Sequence, residues 1–412
     1  MTGVFTVSTV PLDDDRPLLH FAPQRPDTLV WLRDGDGYVG WGEAFSFEPE
    51  PADRFTEVER AFAAFAQHAT INDSVGVPGG GLIAFASFTF SATAGTKFRV
   101  PQVMVGRRDG VTWQTVITVD GREPAEPPIS KGADPTRGAH HQPKFAGSTN
   151  PDIHWLDAVE KAREAIRANQ LEKVVLARDY AVWSYEPFAT LPIAARLTAR
   201  FPTCFTFVFD GLVGATPELL LRINDGAVTS QVLAGTTGRS DHRETDEKLG
   251  ATLCASEKDR SEHLLAVTSV ADVLAAVTDD LHVPNEPELM RLANVQHLAT
   301  TLNGTLSRPV GVLTLLDTLH PSAAVGGTPR DTALEFIAAH EGMPRGRYAA
   351  PIGYATPDGD GEFGIALRCA EISGARARLF AGVGVVADSL PEAELAETHL
   401  KLLAMQQALA TD

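Results

Sequence analysis

The sequence closes on a helix-spaced run, PEAELAETHLKLLAMQQAL (391–409), in which Glu394, Glu397 and Lys401 recur at i, i+3 and i+7 and share a narrow sector of one face. Alone, two carboxylates and an ammonium read as a solvated ion-pair face. Two strands precede them, however. EFGIALRCAEI (362–372) puts Phe363, Ile365, Leu367 and Cys369 on one side of a period-2 pattern and Arg368 on the other. RARLFAGVGVV (376–386) reads as a second apolar strand, broken at its end by Gly382 and Gly384. Strand, strand, glycine turn and acidic helix make a layout able to hold a metal ion and a carboxylate substrate together.

Other residues with chemistry lie upstream. KVVLARDYAVW (173–183) starts a strand on Lys173, with Val175 and Ala177 on the same face. A lysine among such neighbours can be buried and act as a base. TCFTFVFDGLVGATPELLLRI (203–223) reads as a hairpin in which Glu218 follows a Gly-Ala-Thr-Pro turn and precedes three leucines. A carboxyl so enclosed tends to keep its proton, which suits a general acid. LAGTTGR (233–239) ends the next strand, and its Gly235 and Thr236 offer hydrogen bonds to an anion. In the long helix SEKDRSEHLLAVTSVADVLAAV (256–277), Ser256 and Asp259 resemble a capping box, and Glu262 lies inside. VQHLATTLNGTL (295–306) is a strand bearing His297, and LHPSAAVGGTPRDTALEFI (319–337) is a glycine-rich turn leading into a helix. The adjacent His140 and His141 read as solvated loop residues, not ligands.

The elements that must position these residues emerge from composition and pattern. A chain of 412 residues allows one to three domains, and 44% hydrophobic with 21% charged residues is ordinary for a soluble protein. No apolar run approaches the ~18 residues of a membrane helix. The N-terminus lacks a basic segment followed by an apolar core, so no secretory signal is expected and a cytoplasmic location is. Cys204, Cys254 and Cys369 have no paired spacing, against a disulfide framework or zinc site. The formal net charge of −18 disfavours nucleic acid and anionic membrane as partners. It leaves open a small anionic substrate, provided that cations are gathered locally. Residues 27–47 read as a hairpin around Asp34-Gly35-Asp36-Gly37, and 52–68 as an amphipathic helix through Val58, Phe62 and Phe65. Residues 1–120 read as sheet and scaffold, and the Pro-, Gly- and His-rich 121–150 as a connecting loop. From Asn150, whose type suits a cap, a helix shows the stripe Trp155, Val159, Ala162 and Ile166.

With GATPELL, SEKDRSEH, VQHL, LHPSAAVGGTP, IALRCAEI, FAGVGVV and ELAETHLK in one order over roughly residues 150–408, the chain closely resembles the chorismate-utilising enzymes. Among them it is most similar to isochorismate synthases. The resemblance implies an α/β (α+β) layered fold of two large, mainly antiparallel sheets with flanking helices. Residues 151–408 would form the chorismate-binding catalytic portion, with Mg²⁺ as cofactor. It implies that Glu262 and Glu397 hold the ion, with Glu394 reaching it through water. It makes Lys173 the general base and Glu218 the general acid. Arg368, Tyr348, Gly382 and Gly384 would hold the enolpyruvyl carboxylate, Gly235, Thr236 and Lys401 would make further substrate contacts, and His297 would lie near the ring. Relatives that use ammonia commonly carry threonine where this chain has Ala324, and the anthranilate type lacks the lysine, so water is the expected nucleophile. Tyr348 and Leu367 match a pair in salicylate synthases that some isochorismate synthases share, which makes salicylate formation the second reading. A catalytically silent chorismate- or metal-binding module is another, against which intact Lys173, Glu218, Glu262 and Glu397 argue. The expected partner is chorismate, with no amidotransferase, and the chain is expected to be a monomer. The product would serve menaquinone or siderophore synthesis.

Overall fold

The computed structural model describes residues 3–124, 134 and 142–410; His140 and His141 lie outside these. Among them the chain forms a 13-stranded and a 9-stranded sheet, both mainly antiparallel, with helices around them. The sheets meet through large apolar faces. Tyr38 of the larger sheet and Tyr354 of the smaller have ring centroids 4.8 Å apart, and the Trp31 indole donates across the interface to Glu362 at 2.7 Å. The first 120 residues are built into the same two sheets as the rest of the chain: Trp31 pairs with Phe207 in one, and Phe85 with Tyr354 in the other. The expected hairpin forms from Leu29–Arg33 and Asp36–Trp41, with Asp34 and Gly35 at positive φ in its turn.

Several elements differ from the sequence reading, each for a physical reason. EFGIALRCAEI is not one strand: Gly361–Ile365 belongs to the smaller sheet and Cys369–Ser373 to the larger. The chain crosses between them at Ala366–Arg368, where Arg368 has φ 49°. The 203–223 stretch likewise divides into a hairpin, Phe205–Phe209 with Leu212–Thr216, and a strand of the other sheet, Leu219–Asn224. Glu218 sits at that crossing. Alternation continues through both crossings because both faces are apolar, so the pattern hides the change of sheet. Gly382 and Gly384 do not break their strand. They lie within Arg376–Val385, opposite Ala177 and Val175 of Lys173–Trp183. Asn150 does not cap the following helix, Asp152–Arg167; its amide donates to the Gly342 carbonyl at 3.1 Å. A helix at Arg243–Ala255 and a short strand at Lys144–Gly147, inside the expected 121–150 loop, have no counterpart in that reading.

The Lys173–Trp183 strand carries the base candidate. One edge pairs along its length with Arg376–Val385. On the other, strand partners reach only its two ends, at Lys173–Val174 and Ala181–Trp183. Between them, a buried ion pair takes the place of a neighbouring strand. Arg345 Nη2 donates to the Val175 carbonyl at 2.7 Å, and Glu341 Oε2 accepts from the Ala177 amide at 2.8 Å. The two side chains are joined by Arg345 Nε donating to Glu341 Oε1 at 2.8 Å, with side-chain exposures of 3% and 1%. Removing one partner strands the other charge in the core, so Arg345→Met is expected to cost about 3–5 kcal/mol. Urea unfolding followed by far-ultraviolet circular dichroism measures this, and a loss below ~1 kcal/mol would contradict the surrogate-strand account.

Candidate active site

Lys173 is fully buried at the start of its strand. Its Nζ lies 3.2 Å from Glu262 Oε1, yet it makes no aligned hydrogen bond to any protein group. Lys173 is thus held beside the Glu262 carboxylate while its Nζ keeps hydrogen-bonding capacity for something else. Glu262 projects from the Glu257–Ala275 helix, whose start is fixed by Ser256 accepting the Asp259 amide at 3.2 Å. On the last helix, Pro391–Leu409, Lys401 pairs with Glu397 at 2.6 Å and donates to the Gly382 carbonyl at 2.8 Å. Glu394, on the same helix, turns to Lys258 at 2.7 Å.

Glycines 382 and 384 make this arrangement possible through space, not through φ. A Cβ at Gly384 would fall 2.0 Å from Glu262 Oε1 and 2.9 Å from Lys173 Cε. One at Gly382 would fall 3.0 Å from the Tyr348 hydroxyl. Tyr348 stacks on Phe380 with ring centroids 4.9 Å apart.

At the two crossings the chain runs beside itself: the Ile365 amide donates to the Glu218 carbonyl, and the Ala215 amide to the Arg368 carbonyl. This places Glu218 and Arg368 in one cavity wall. Burial pushes the Glu218 carboxyl up to about 8, against the pull of Lys173, a hydrogen bond with the Leu233 backbone, Arg368 and Lys401. Arg368 Nη2 donates to His297 Nε2 at 3.2 Å. That fixes the tautomer, because His297 Nδ1 then carries the proton and faces the Gly235 carbonyl at 3.3 Å and Thr236 Oγ1 at 3.1 Å. Burial, with the cations of Arg368 and Lys401, holds the imidazole neutral, well below its usual range. Gly235 itself is a bulge at φ +77°, a conformation that suits glycine.

Glu218, Gly235, Thr236, Glu262, His297, Ala324, Tyr348, Leu367, Arg368, Gly382, Gly384, Glu397 and Lys401 all line one cavity. Of the residues singled out from sequence, Lys173 stands behind Glu262 and Gly384, and Glu394 faces Lys258. Two residues escaped the sequence reading. Arg345 also lines the cavity, and no local pattern marks it. Lys258 stands in the SEKDRSEH motif, and its position four residues before Glu262 was the available signal. A larger cavity lies elsewhere between the sheets, around Tyr38, Arg108, Tyr354 and Glu362. Its buried polar groups are already paired: Trp31 and Arg222 with Glu362, and Arg108 with Tyr354. Chemistry therefore points to the smaller one.

Among the described residues, no three His, Cys, Asp or Glu side chains converge into an all-protein metal cage. Mg²⁺ does not require one, since it binds through one or two carboxylates completed by waters and substrate oxygens. Glu262 and Glu397 both open onto the cavity, and Gly384 leaves the room that Glu262 occupies. This donor set fits Mg²⁺.

Residues 21–410 match the chorismate binding enzyme family. The chain belongs to that family. It is 40% identical over 295 residues to the salicylate biosynthesis isochorismate synthase of Pseudomonas aeruginosa, covering 69% of this chain and 60% of that protein. It is 37% identical over 259 residues to the isochorismate synthase MenF of Bacillus subtilis, covering 62% and 55%. The chain thus spans less than two thirds of the length of these two relatives. Its fold superposes on MenF, the menaquinone-specific isochorismate synthase of Escherichia coli, with TM-score 0.81 and 26% identity over 99% of this chain and 95% of that one. The two-sheet architecture expected from the sequence is therefore that of solved isochorismate synthases. None of the described helices is long and apolar enough to cross a membrane.

For this member of the chorismate binding enzyme family the glycine geometry makes a graded prediction. Gly384→Ala should displace Glu262 and lower Mg²⁺ affinity at least ~10-fold, the scale on which perturbing a ligand's surroundings acts. Gly382→Ala should leave the affinity within a few-fold and weaken substrate binding through Tyr348. Calorimetric titration with Mg²⁺ and KM for chorismate separate the two; equal Mg²⁺ affinities would contradict the assignment.

Proposed function

We propose that the chain is an isochorismate synthase, converting chorismate to isochorismate with Mg²⁺ as cofactor. The observation that carries this reading is a buried carboxyl that keeps its proton at neutral pH, Glu218, within electrostatic reach of a buried lysine with spare hydrogen-bonding capacity, Lys173. Water is a poor nucleophile and hydroxide a poor leaving group, so the reaction needs one group of each kind. Lys173 takes a proton from the water that adds at C2, the ring double bonds shift, and the 4-hydroxyl departs as water with the proton of Glu218. Lys173 then holds the proton of the attacking water, Glu218 lacks the one carried off by the departing water, and exchange with solvent resets both. Arg368, set by neutral His297, and Lys401 bind the substrate's carboxylates, and Tyr348 helps to orient the enolpyruvyl group. Mg²⁺, held by Glu262 and Glu397, would supply Lewis-acid stabilisation of charge at the ring carboxylate. Ala324 leaves open space in the cavity wall, and water is the nucleophile. The similarity to named isochorismate synthases supports the same reading. The isochorismate would feed menaquinone or siderophore synthesis in the cytoplasm, the enzyme acting as a monomer without an amidotransferase.

Three outcomes test this. Glu218 must be protonated to act, so kcat/KM should fall as pH rises through about 8. Glu218→Gln, which cannot give up a proton, should still bind chorismate but turn over at least ~100-fold more slowly; turnover within a few-fold of the parent would refute the acid assignment. Lys173→Ala should lose hydration of chorismate, yet near pH 8, where part of Glu218 still holds its proton, accept added ammonia, whose free-base fraction needs no deprotonation before it attacks. Products resolved by mass as isochorismate, salicylate with pyruvate, or an aminated ring decide it. Isochorismate formed at near-parental rate would refute the base.

A further inference from the structure

Lys258 has no part in the roles above, yet it holds the most enclosed of the three acidic candidates. It lies in the first turn of the Glu257–Ala275 helix, four residues before Glu262, and Glu394 lies in the first turn of Pro391–Leu409, three residues before Glu397. Those spacings stack Lys258 on Glu262's face of one helix and Glu394 on Glu397's face of the other, about one turn away in each case. Lys258 Nζ donates to Glu394 Oε1 at 2.7 Å, with 33% of the lysine side chain exposed against 3% of the glutamate's. The pair bridges the opening turns of the two helices that bring acidic oxygen to the cavity. Both turns are pinned. Ser256 accepts the Asp259 amide, while the Glu394 amide donates to the Leu390 carbonyl at 3.0 Å.

We propose that Lys258 is a positioning residue for the divalent cation, setting the separation of Glu262 and Glu397 through its ion pair with Glu394. The pairing has a second consequence. A Glu394 already engaged by Lys258 does not add a third carboxylate to the ion's own ligands. Coordination positions then stay open for substrate oxygens and water, the mixed set Mg²⁺ prefers. The inference rests on the proposed Mg²⁺ site.

The test titrates Mg²⁺ alone, without chorismate, into the full chain by calorimetry, with circular dichroism as the check on folding. Lys258→Met and Glu394→Gln should each weaken Mg²⁺ binding at least ~10-fold, and the double variant should be no weaker than either single one, because both remove the same interaction. Lys258→Arg should stay within about 3-fold of the parent, since it keeps the ion pair. In assays, Lys258→Met should raise the Mg²⁺ concentration for half-maximal rate while kcat at saturating Mg²⁺ changes only a few-fold. If Lys258→Met binds Mg²⁺ as tightly as the parent, or more tightly because it frees a ligating carboxylate, the inference is overturned. Additive losses in the double variant would overturn it too. Should Lys258→Met fail to fold, the remaining pair decides: Glu394→Gln weakened with Lys258→Arg unaffected supports the inference, and any other combination refutes it. A parent chain that binds no Mg²⁺ removes the metal reading itself, whereas a binding parent with an equally tight Lys258→Met removes only this inference.

Discussion

The contact between Lys173 and Glu262 constrains what the surrounding structure can be. An ammonium with no exposed surface has to be neutralised nearby, and the carboxylate that does so comes from a helix that packs over the sheet. The two side chains meet across the strand neighbouring Lys173's own, so that strand must lack a side chain where they pass, and Gly384 supplies the gap. The Lys173 strand must also hold its register where no neighbouring strand supports it, which the Arg345–Glu341 pair provides. One buried ion pair thus accounts for a glycine, a second ion pair and the docking of a helix.

The proposed acid, Glu218, and the proposed carboxylate-binding arginine, Arg368, are placed by a different device. Both lie where the chain leaves one sheet for the other, and the two crossings hydrogen-bond to each other. A residue within a strand is confined to one of two faces, whereas a residue at a crossing points into the seam between sheets. Arg368 adopts a left-handed backbone to do so, at a cost of about 1–2 kcal/mol for a residue with a Cβ. Such strain persists where the surroundings over-determine it, and here the neighbouring strand and the His297 ring hold the residue from both ends.

Much of this was legible in the sequence because residue types and spacing carry it. The Lys173 strand and the Val295–Thr305 strand fell where alternation put them, and both acidic helices were legible, the first with its start marked by Ser256. What stayed hidden was where strands change sheet, since Ile365, Leu367 and Cys369 continue one apolar alternation across a boundary visible only in three dimensions. The glycines stand out in the sequence for the wrong reason. A turn needs φ freedom, but Gly382 and Gly384 serve by absence of a Cβ toward residues more than a hundred positions away or on another element, which no local pattern encodes. The partners of Glu394 and of the Val175–Ala177 edge were missed likewise, because Lys258 and Arg345 act over long separations.

Charge balance links the arrangement to the proposed chemistry. Among the described residues at the cavity, Lys173 behind its wall is matched by Glu262, Lys401 by Glu397 and Arg345 by Glu341, Glu218 holds its proton at pH 7 and His297 is neutral, which leaves Arg368 as the unmatched cation. A divalent cation alone would add two positive charges to this buried setting, and a dicarboxylate alone would add two negative ones. Bound together they leave the net charge as it was. In a low-dielectric cleft each is therefore worth more in the presence of the other, and by linkage the coupling is reciprocal. The lysines take part in this exchange, because any carboxylate oxygen turned toward a cation is one turned away from Lys173 or Lys401. On the proposed reading, those two side-chain nitrogens are released at the moment the cation is held, Lys173 as the free amine toward water and Lys401 toward substrate. On the proposed reading, a net charge of −18 does not bar a doubly charged anion, because Arg368, Lys401 and the bound ion would balance it locally in one cleft.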